Sequence, residues 1–216
     1  YQLPGGTRAI LKHYRHGGLL ARFLGDRFFG LRRPLRELLI TERASQRGVP
    51  TVTLLAARIQ RLAAFFYRGD VVLREIPGAQ DLSSILKTPP APGRKRNRLL
   101  RAVAATVCKM HDAGLLHHDL NLKNLLVAPD VTAYVVDLDQ ASLLEGSLDP
   151  GRRASNLLRL ARSFLKSGGD LGGSLPRRFL AAYCGRDRAF RARMRRELGT
   201  GPATFRLHRI GWSIGA

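Results

Sequence analysis

The sequence predicts an α+β chain of two unequal lobes, strand-rich up to about residue 76 and helix-rich from residue 77 to 216. Three observations carry this. The first third holds short apolar runs cut by Pro and Gly, such as Pro4-Gly5-Gly6 and Pro77-Gly78. From Leu82 onward apolar residues recur at spacings of three and four, the period of an amphipathic helix. Between those helical stretches, a polar cluster from His117 to Asn124 is framed by two short apolar segments. A chain of 216 residues with 44% hydrophobic and 25% charged residues can bury a core of this size, so disorder is excluded as the default.

Tyr1-Gln2-Leu3 and Ala9-Ile10-Leu11-Lys12 read as two strands joined by the Pro4-Gly5-Gly6 turn. A Gly- and Arg-rich stretch with Tyr14, Phe23, Phe28 and Phe29 follows, from His13 to Arg33. Pro34 opens a helix in which Leu35, Leu38, Leu39 and Glu42 mark an apolar face, and Gly48-Val49-Pro50 closes it. Residues 51–60, 62–67 and 70–76 read as three short strands. Leu82 to Leu86 is a short helix, and residues 88–96 are a Pro-rich loop. Leu99 to His111 is the clearest helix, with Leu99, Leu100, Val103, Ala104, Val107 and Met110 on one face and Gly114 as its stop. Leu115 to Val127 and Ala133 to Leu138 are short apolar segments. Residues 152–166, 176–184 and 187–198 complete the chain as three helices, the last very basic.

Composition narrows the partners. Thirty-seven Lys and Arg face 16 Asp and Glu, a net charge of +21, which draws polyanions such as anionic lipid headgroups, phosphorylated glycolipid or nucleic acid. Cys108 and Cys184 form no CxxC or Cys/His cluster, so no zinc site is predicted, and Cys108 reads as a core residue. The low cysteine count is in keeping with a reducing compartment. No run of apolar residues approaches a membrane span. The chain opens on Tyr1 rather than Met and is expected to be a fragment.

The chemistry is concentrated in His117-His118-Asp119-Leu120-Asn121-Leu122-Lys123-Asn124, which reads H-x-D-x-x-x-x-N, a kinase catalytic-loop pattern. Asp137 follows eighteen residues after Asp119, at the end of the apolar run Tyr134-Val135-Val136. Transfer of a phosphoryl group gathers negative charge, so a divalent cation has to be held at the phosphates. Asn124 and Asp137 supply the hard oxygens that magnesium takes, and Asp119 can orient and deprotonate the attacking hydroxyl. Any one of the three alone reads as an ordinary turn or strand-end residue; the ordered set behind an amphipathic helix does not. Lys12 ends a strand-like Ala-Ile-Leu-Lys run, as a phosphate-gripping lysine would. Glu37 is its best helical partner, with Glu42 or plain solvation as alternatives. Glu75 and Ile76 lie where the lobes join, so their backbone is expected against the adenine of ATP. The predicted architecture is therefore a protein-kinase-like bilobal fold.

On these residues the chain resembles the bacterial lipopolysaccharide kinases, in particular the Kdo kinases. The stretches that carry the likeness are Leu11 to Leu19, Ile76 to Leu82, His118-Asp119-Leu120-Asn121, Val136-Asp137-Leu138-Asp139 and Asn156 to Ser163. The resemblance covers roughly residues 1–165. It implies ATP and Mg2+ as cofactors, and phosphorylation of 3-deoxy-D-manno-octulosonic acid (Kdo) on a lipid A precursor, an anionic glycolipid. A heptose kinase, or a RIO-like or other small atypical kinase with a protein or small-molecule acceptor, is the alternative. Lys12, Glu37, Asp119, Asn124 and Asp137 take the family roles, with Asn121, Lys123 and Asp139 as auxiliaries. Glu37 gains weight because it stands eleven residues before Gly48, as the helix Glu does in related small kinases.

The resemblance also locates departures. It puts the Gly-rich phosphate loop before Tyr1, leaving lobe 1–76 without it. Asn121 stands where protein kinases carry a Lys, Asp139 replaces the Gly of D-F-G, His118 replaces the Arg of H-R-D, and no A-P-E follows Asp137. The chain continues only 79 residues beyond Asp137, short for a peptide-binding lobe. These features argue against a protein substrate. The resemblance implies a cytoplasmic protein, peripheral on the inner membrane of a Gram-negative bacterium. Two basic stretches are candidates for meeting that anionic surface. One is Arg186, Arg188, Arg191, Arg193, Arg195 and Arg196 with Phe190 and Met194 interleaved; the other is Phe23, Phe28 and Phe29 among Arg22, Arg27, Arg32 and Arg33. A nucleic-acid-binding module is disfavoured, since it has no need of Asp119, Asn124 and Asp137.

Overall fold

A computed structural model describes residues 1–2, 6–13, 28–29, 32–63, 66–90, 93–172 and 174–199. The first sheet is built on a central strand. β4 (Phe66–Arg74) pairs antiparallel with β1 (Ala9–His13), from Ala9 opposite Arg74 to His13 opposite Asp70. Along its other edge it pairs with β3 (Leu54–Ala63), and near its start with the short β2 (Phe28–Phe29). The expected strand 62–67 is split between the end of β3 and the start of β4, its second part continues unbroken into the strand expected at 70–76, and the strand expected at 51–60 starts later and runs on to Ala63. Arg68-Gly69-Asp70 reads as a break by composition, yet the ladder continues through Ile59 opposite Gly69 and Arg58 opposite Asp70. Backbone pairing does not depend on side-chain polarity.

α1 (Arg32–Gln46) follows β2. Its buried face carries Glu37, Ile40, Thr41 and Ala44, whereas Leu35 and Leu39 are 40% and 55% exposed. The apolar face expected from Leu35, Leu38 and Leu39 is thus only partly inward. A charged residue takes an inward position because Lys12 meets it there, as described below. The expected turn at Pro4-Gly5 and the Phe23 cluster, with the side chains of Phe28, Phe29, Arg32 and Arg33, fall outside the described residues.

The rest of the chain is helical around small ribbons. Asp81 ends β5 (Gln80–Asp81) and caps α2 (Leu82–Lys87), its Oδ1 accepting from the Ser84 N–H at 2.9 Å. α3 (Arg94–Asp112) begins five residues before the expected Leu99. Arg94 to Arg96 count as loop by charge, but nothing past Gly93 breaks a helix. Gly114, at φ 78°, ends it; a Cβ there would collide with the carbonyls of Leu144 and Gly146. β6 (Leu115–Leu116) pairs with β9 (Ser142–Leu143), while β7 (Leu125–Val127) lies between β5 and β8 (Ala133–Val135). α4 (Pro150–Lys166), α5 (Leu175–Cys184) and α6 (Arg188–Gly199) follow. One core joins Val103, Val107 and Met110 of α3 to Leu157, Leu160 and Tyr183. Cys184 is buried, and Cys108, expected in the core, is partly buried and packs against it.

α6 corrects another expectation. Met194 is fully buried, and Phe190 packs against the core with its ring centroid 6.1 Å from that of Tyr183. The apolar residues among the arginines thus face the protein, leaving Arg186, Arg188, Arg193, Arg195 and Arg196 exposed. Among the described residues no helix is long and apolar enough to cross a membrane.

The two regions are tied together. The Val135 N–H donates to Pro50 O at 2.9 Å, beside a parallel bridge between Thr51 and Val135. Arg47, just past α1, donates from Nη1 to Ala113 O (2.9 Å) and Leu144 O (2.6 Å). Arg36 donates to Ala141 O at 3.2 Å. α1 is therefore anchored to the segments that flank the polar cluster.

His111 is fully buried on α3, and burial is the chief cause pushing its pKa from 6.5 down to about 3. The unfolded chain binds this proton first, so stability from His111 is complete above pH 6.5 and is lost as the pH falls toward 3. The slope is about 1.4 kcal/mol per pH unit within that window. Chemical denaturation at a series of pH values is expected to show a shallower acid loss for His111→Gln than for the parent chain.

Candidate active site

Lys12 is the meeting point of the two regions. From the fourth position of β1 its Nζ reaches Glu37 Oε1 at 3.0 Å and Asp137 Oδ1 at 2.7 Å. Glu37 is held on the inner face of α1 with its side chain 9% exposed, so its charge needs a partner. Burial by itself depresses the Lys12 pKa, but the carboxylates of Glu37 and Asp137 outweigh it and the net shift is upward. The ammonium stays charged at neutral pH. Asp137 sits at φ 63° and ψ 60°, a left-handed pose that Asp tolerates better than most residues. The pose turns the chain from β8 into a 3-10 turn, Leu138–Gln140, that carries the half-buried Asp139.

The H-x-D-x-x-x-x-N segment is self-locking. Asn121 Nδ2 donates to Asp119 O at 3.0 Å and to its Oδ2 at 3.2 Å. Asn121 Oδ1 accepts from the N–H groups of Lys123 (2.9 Å) and Asn124 (3.3 Å), capping the 3-10 turn Leu122–Asn124. Asn124 is buried and donates from Nδ2 to Asp119 O at 2.9 Å, so its amide oxygen is the atom left to act as a ligand. This is the role the sequence leaves open for Asn121: it organises the loop. Lys123 contributes its N–H to that cap, and its residue is exposed.

Backbone contacts then register this loop against Asp137. The Val136 N–H donates to Asn124 O at 3.0 Å. His117 Nδ1 accepts from the Asp119 N–H at 3.3 Å, which leaves the ring hydrogen on Nε2 to donate to Val136 O at 3.1 Å. Burial pushes the His117 pKa down, in keeping with this neutral form. His117 is legible in the motif but carries no assigned role there; here it fixes the residue before Asp137 to the residue Asp119.

A cavity of about 490 Å³ opens beside these groups. Ile10, Leu73 and Leu126 give it apolar walls, Ile76 and Ala79 line one part, and Lys12, Glu37 and Asp137 line another. A cavity of this size, with apolar walls and charged groups at one part, is of the kind that holds a small organic ligand. Glu75 also lines it, yet its N–H goes to Arg8 O at 2.9 Å and its Oε2 to Arg8 Nε at 3.1 Å. Glu37 Oε2 is buried and takes no hydrogen bond among the described residues. The amide and carboxylate oxygens of Asn124 and Asp137 are the ligand type magnesium takes.

Two groups that the sequence does not assign complete the site. Ser142 Oγ lies 3.0 Å from His118 Nε2 and accepts from Arg36 Nη2 at 3.2 Å, linking the neighbour of Asp119 to the neighbour of Glu37. Asn156, 1% exposed on α4, bonds both polar groups of the His117 peptide.

The profile of the Lipopolysaccharide kinase (Kdo/WaaP) family matches residues 5–183. A 3-deoxy-D-manno-octulosonic acid kinase of Vibrio cholerae serotype O1 is 31% identical over 164 residues, 74% of this chain and 66% of that protein. One of Actinobacillus succinogenes is 31% identical over 174 residues, 77% and 70% of the two chains. The chain thus spans about two thirds of the length of these relatives. Among solved structures, WaaP in complex with acyl carrier protein superposes with a TM-score of 0.56 at 25% identity, covering 90% of this chain and 80% of that one.

Proposed function

The chain belongs to the Lipopolysaccharide kinase (Kdo/WaaP) family, and from that membership and its site we propose that it is an ATP-dependent kinase of a sugar hydroxyl, with Kdo on a lipid A precursor as acceptor. The observation that carries the reading is Lys12 bound at once to Glu37 and Asp137, next to an Asp119 loop registered against Asp137 through Val136. The named 3-deoxy-D-manno-octulosonic acid kinases support the acceptor.

In this reading residues 1–76 form the nucleotide lobe and 77–216 the catalytic lobe. Lys12 binds the α- and β-phosphates, and Glu37 fixes its ammonium. The adenine lies along the backbone at Glu75 and Ile76, with Ile76 the better placed, since Arg8 engages Glu75. Asp119 accepts the proton of the sugar hydroxyl as that oxygen bonds the γ-phosphorus. The bond between the γ-phosphorus and the β,γ-bridging oxygen breaks, and ADP carries away the electron pair. Asn124 and Asp137 would hold Mg2+, which supplies charge neutralisation at the phosphates. Asn121 keeps the Asp119 carboxylate aimed, with Lys123 and Asp139 as peripheral auxiliaries. The exposed arginines of α6 supply attraction to the anionic cytoplasmic face of the inner membrane, about 1 kcal/mol for each basic group near it.

The test is transfer of labelled phosphate from ATP to a panel: a Kdo-bearing lipid A precursor, a heptose-bearing core, a small aminoglycoside and a basic protein. Label on the Kdo lipid alone, dependent on Mg2+, is expected. Label on any other acceptor in its place overturns the substrate, and the absence of label on all four overturns the kinase reading.

A further inference from the structure

Behind the Asp119 loop runs a buried chain of side-chain hydrogen bonds that phosphoryl transfer itself does not use. Asn156 grips the His117 peptide on both sides. Its Oδ1 accepts from the His117 N–H at 3.2 Å, and its Nδ2 donates to His117 O at 3.2 Å. An asparagine amide is nearly symmetric in shape, so packing alone does not decide which way round it sits. Reversed, it would set N–H against N–H and oxygen against oxygen with no water to relieve either.

The same orientation is enforced from the other side of the amide. Arg153 is buried, and its guanidinium can only donate. It gives Nε to Leu148 O (2.7 Å), Nη2 to Asp112 Oδ1 (2.7 Å) and Nη1 to the Tyr183 hydroxyl (3.2 Å). Tyr183 oxygen accepts that bond, so its own hydrogen is directed to His111 Nδ1, 2.7 Å away. His111 is buried neutral, which puts its single hydrogen on Nε2, 3.3 Å from Asn156 Oδ1. A donor aimed at that atom requires it to be the oxygen. The polarity of one guanidinium is thereby passed through a phenol and an imidazole to an amide.

We propose that the Arg153–Tyr183–His111 chain is a positioning device for the catalytic loop, setting the orientation of Asn156 and, through the His117 peptide, the place of Asp119. None of these residues lies in the phosphate or adenine site, so none is a catalytic residue. The activity readout rests on the kinase reading above; the structural readout does not.

Three variants separate the device from ordinary core packing. His111→Leu keeps bulk and removes both ring nitrogens. Tyr183→Phe keeps the ring and removes only the hydroxyl. His111→Gln retains an acceptor for Tyr183 and a donor for Asn156, and so serves as the conservative rescue. His111→Leu and Tyr183→Phe are expected to lower kcat by about 10- to 100-fold, with the KM for ATP held within about twofold. His111→Gln is expected to recover most of that loss. Amide hydrogen exchange supplies the second readout. Segment 117–121 should exchange about tenfold faster in His111→Leu and Tyr183→Phe, while α3 stays protected. Exchange is measured without an acceptor, so a parent chain that transfers no phosphate leaves this readout standing. Equal losses in His111→Leu and His111→Gln, or unchanged exchange at 117–121 in folded Tyr183→Phe, would overturn the proposal. Should His111→Leu not fold, the Tyr183→Phe and His111→Gln pair still decides.

Discussion

Asp137→Asn is expected to lower kcat/KM for ATP by at least about a thousandfold, the largest effect of any single change considered for this chain. Asparagine is the informative choice, because it tolerates the left-handed backbone at φ 63° and keeps the size of the side chain. What it removes is charge. Asp137 is proposed to hold the cation, and it also neutralises Lys12 at 2.7 Å. The variant loses an anionic ligand, and Lys12 keeps its bond to Glu37. Magnesium dependence should therefore change along with rate. Calorimetric titration of ATP with and without Mg2+ checks this: the parent chain should bind more tightly with the ion, and the variant should show little difference. Equal magnesium dependence in the two proteins would remove Asp137 from the proposed ligand set.

Asp119→Ala is expected to reduce phosphate transfer to the acceptor by about a thousandfold while ATP binding is retained. Asp119 is not among the residues that line the cavity beside Lys12 and Glu37, so the cavity survives the change. Its backbone oxygen still accepts from Asn121 and Asn124, which preserves the loop. A single-turnover measurement with saturating ATP isolates the chemical step. A variant that transfers phosphate at the parent rate would show that another group takes the hydroxyl proton.

The parts of the site that the sequence makes legible are those where chemistry dictates both residue type and spacing. Asp119, Asn124 and Asp137 stand at fixed separations because one short loop and one ribbon bring them together. Lys12 and Glu37 are legible more weakly, as a lysine ending a strand and a glutamate early in a helix. The inward turn of Glu37 runs against hydrophobic patterning, and the exposed Leu35 and Leu39 follow from it. Pattern reading treats the leucines as core because it has no means of knowing that Lys12 is waiting on the other side. The same blindness merges and splits strands. Arg68-Gly69-Asp70 looks like an interruption until β3 is laid alongside. Asn156, His111 and Arg153 are least legible of all. Each is a polar residue inside an apolar periodicity, and its meaning depends on partners up to 72 residues away in sequence, as for His111 and Tyr183. The interleaved Phe190 and Met194 show the converse error. A basic helix with apolar residues fits a lipid surface or a protein core equally well by composition, and only the packing of α6 on Tyr183 distinguishes them.

The anchoring of α1 by Arg36 and Arg47 has a consequence for control. Many phosphotransfer proteins idle by swinging their glutamate helix outward and engage by swinging it home. Here contacts at both ends tie that helix to the segments around Asp119 and Asp137, so an outward swing would have to break the bonds of Arg36 to Ala141 and of Arg47 to Ala113 and Leu144.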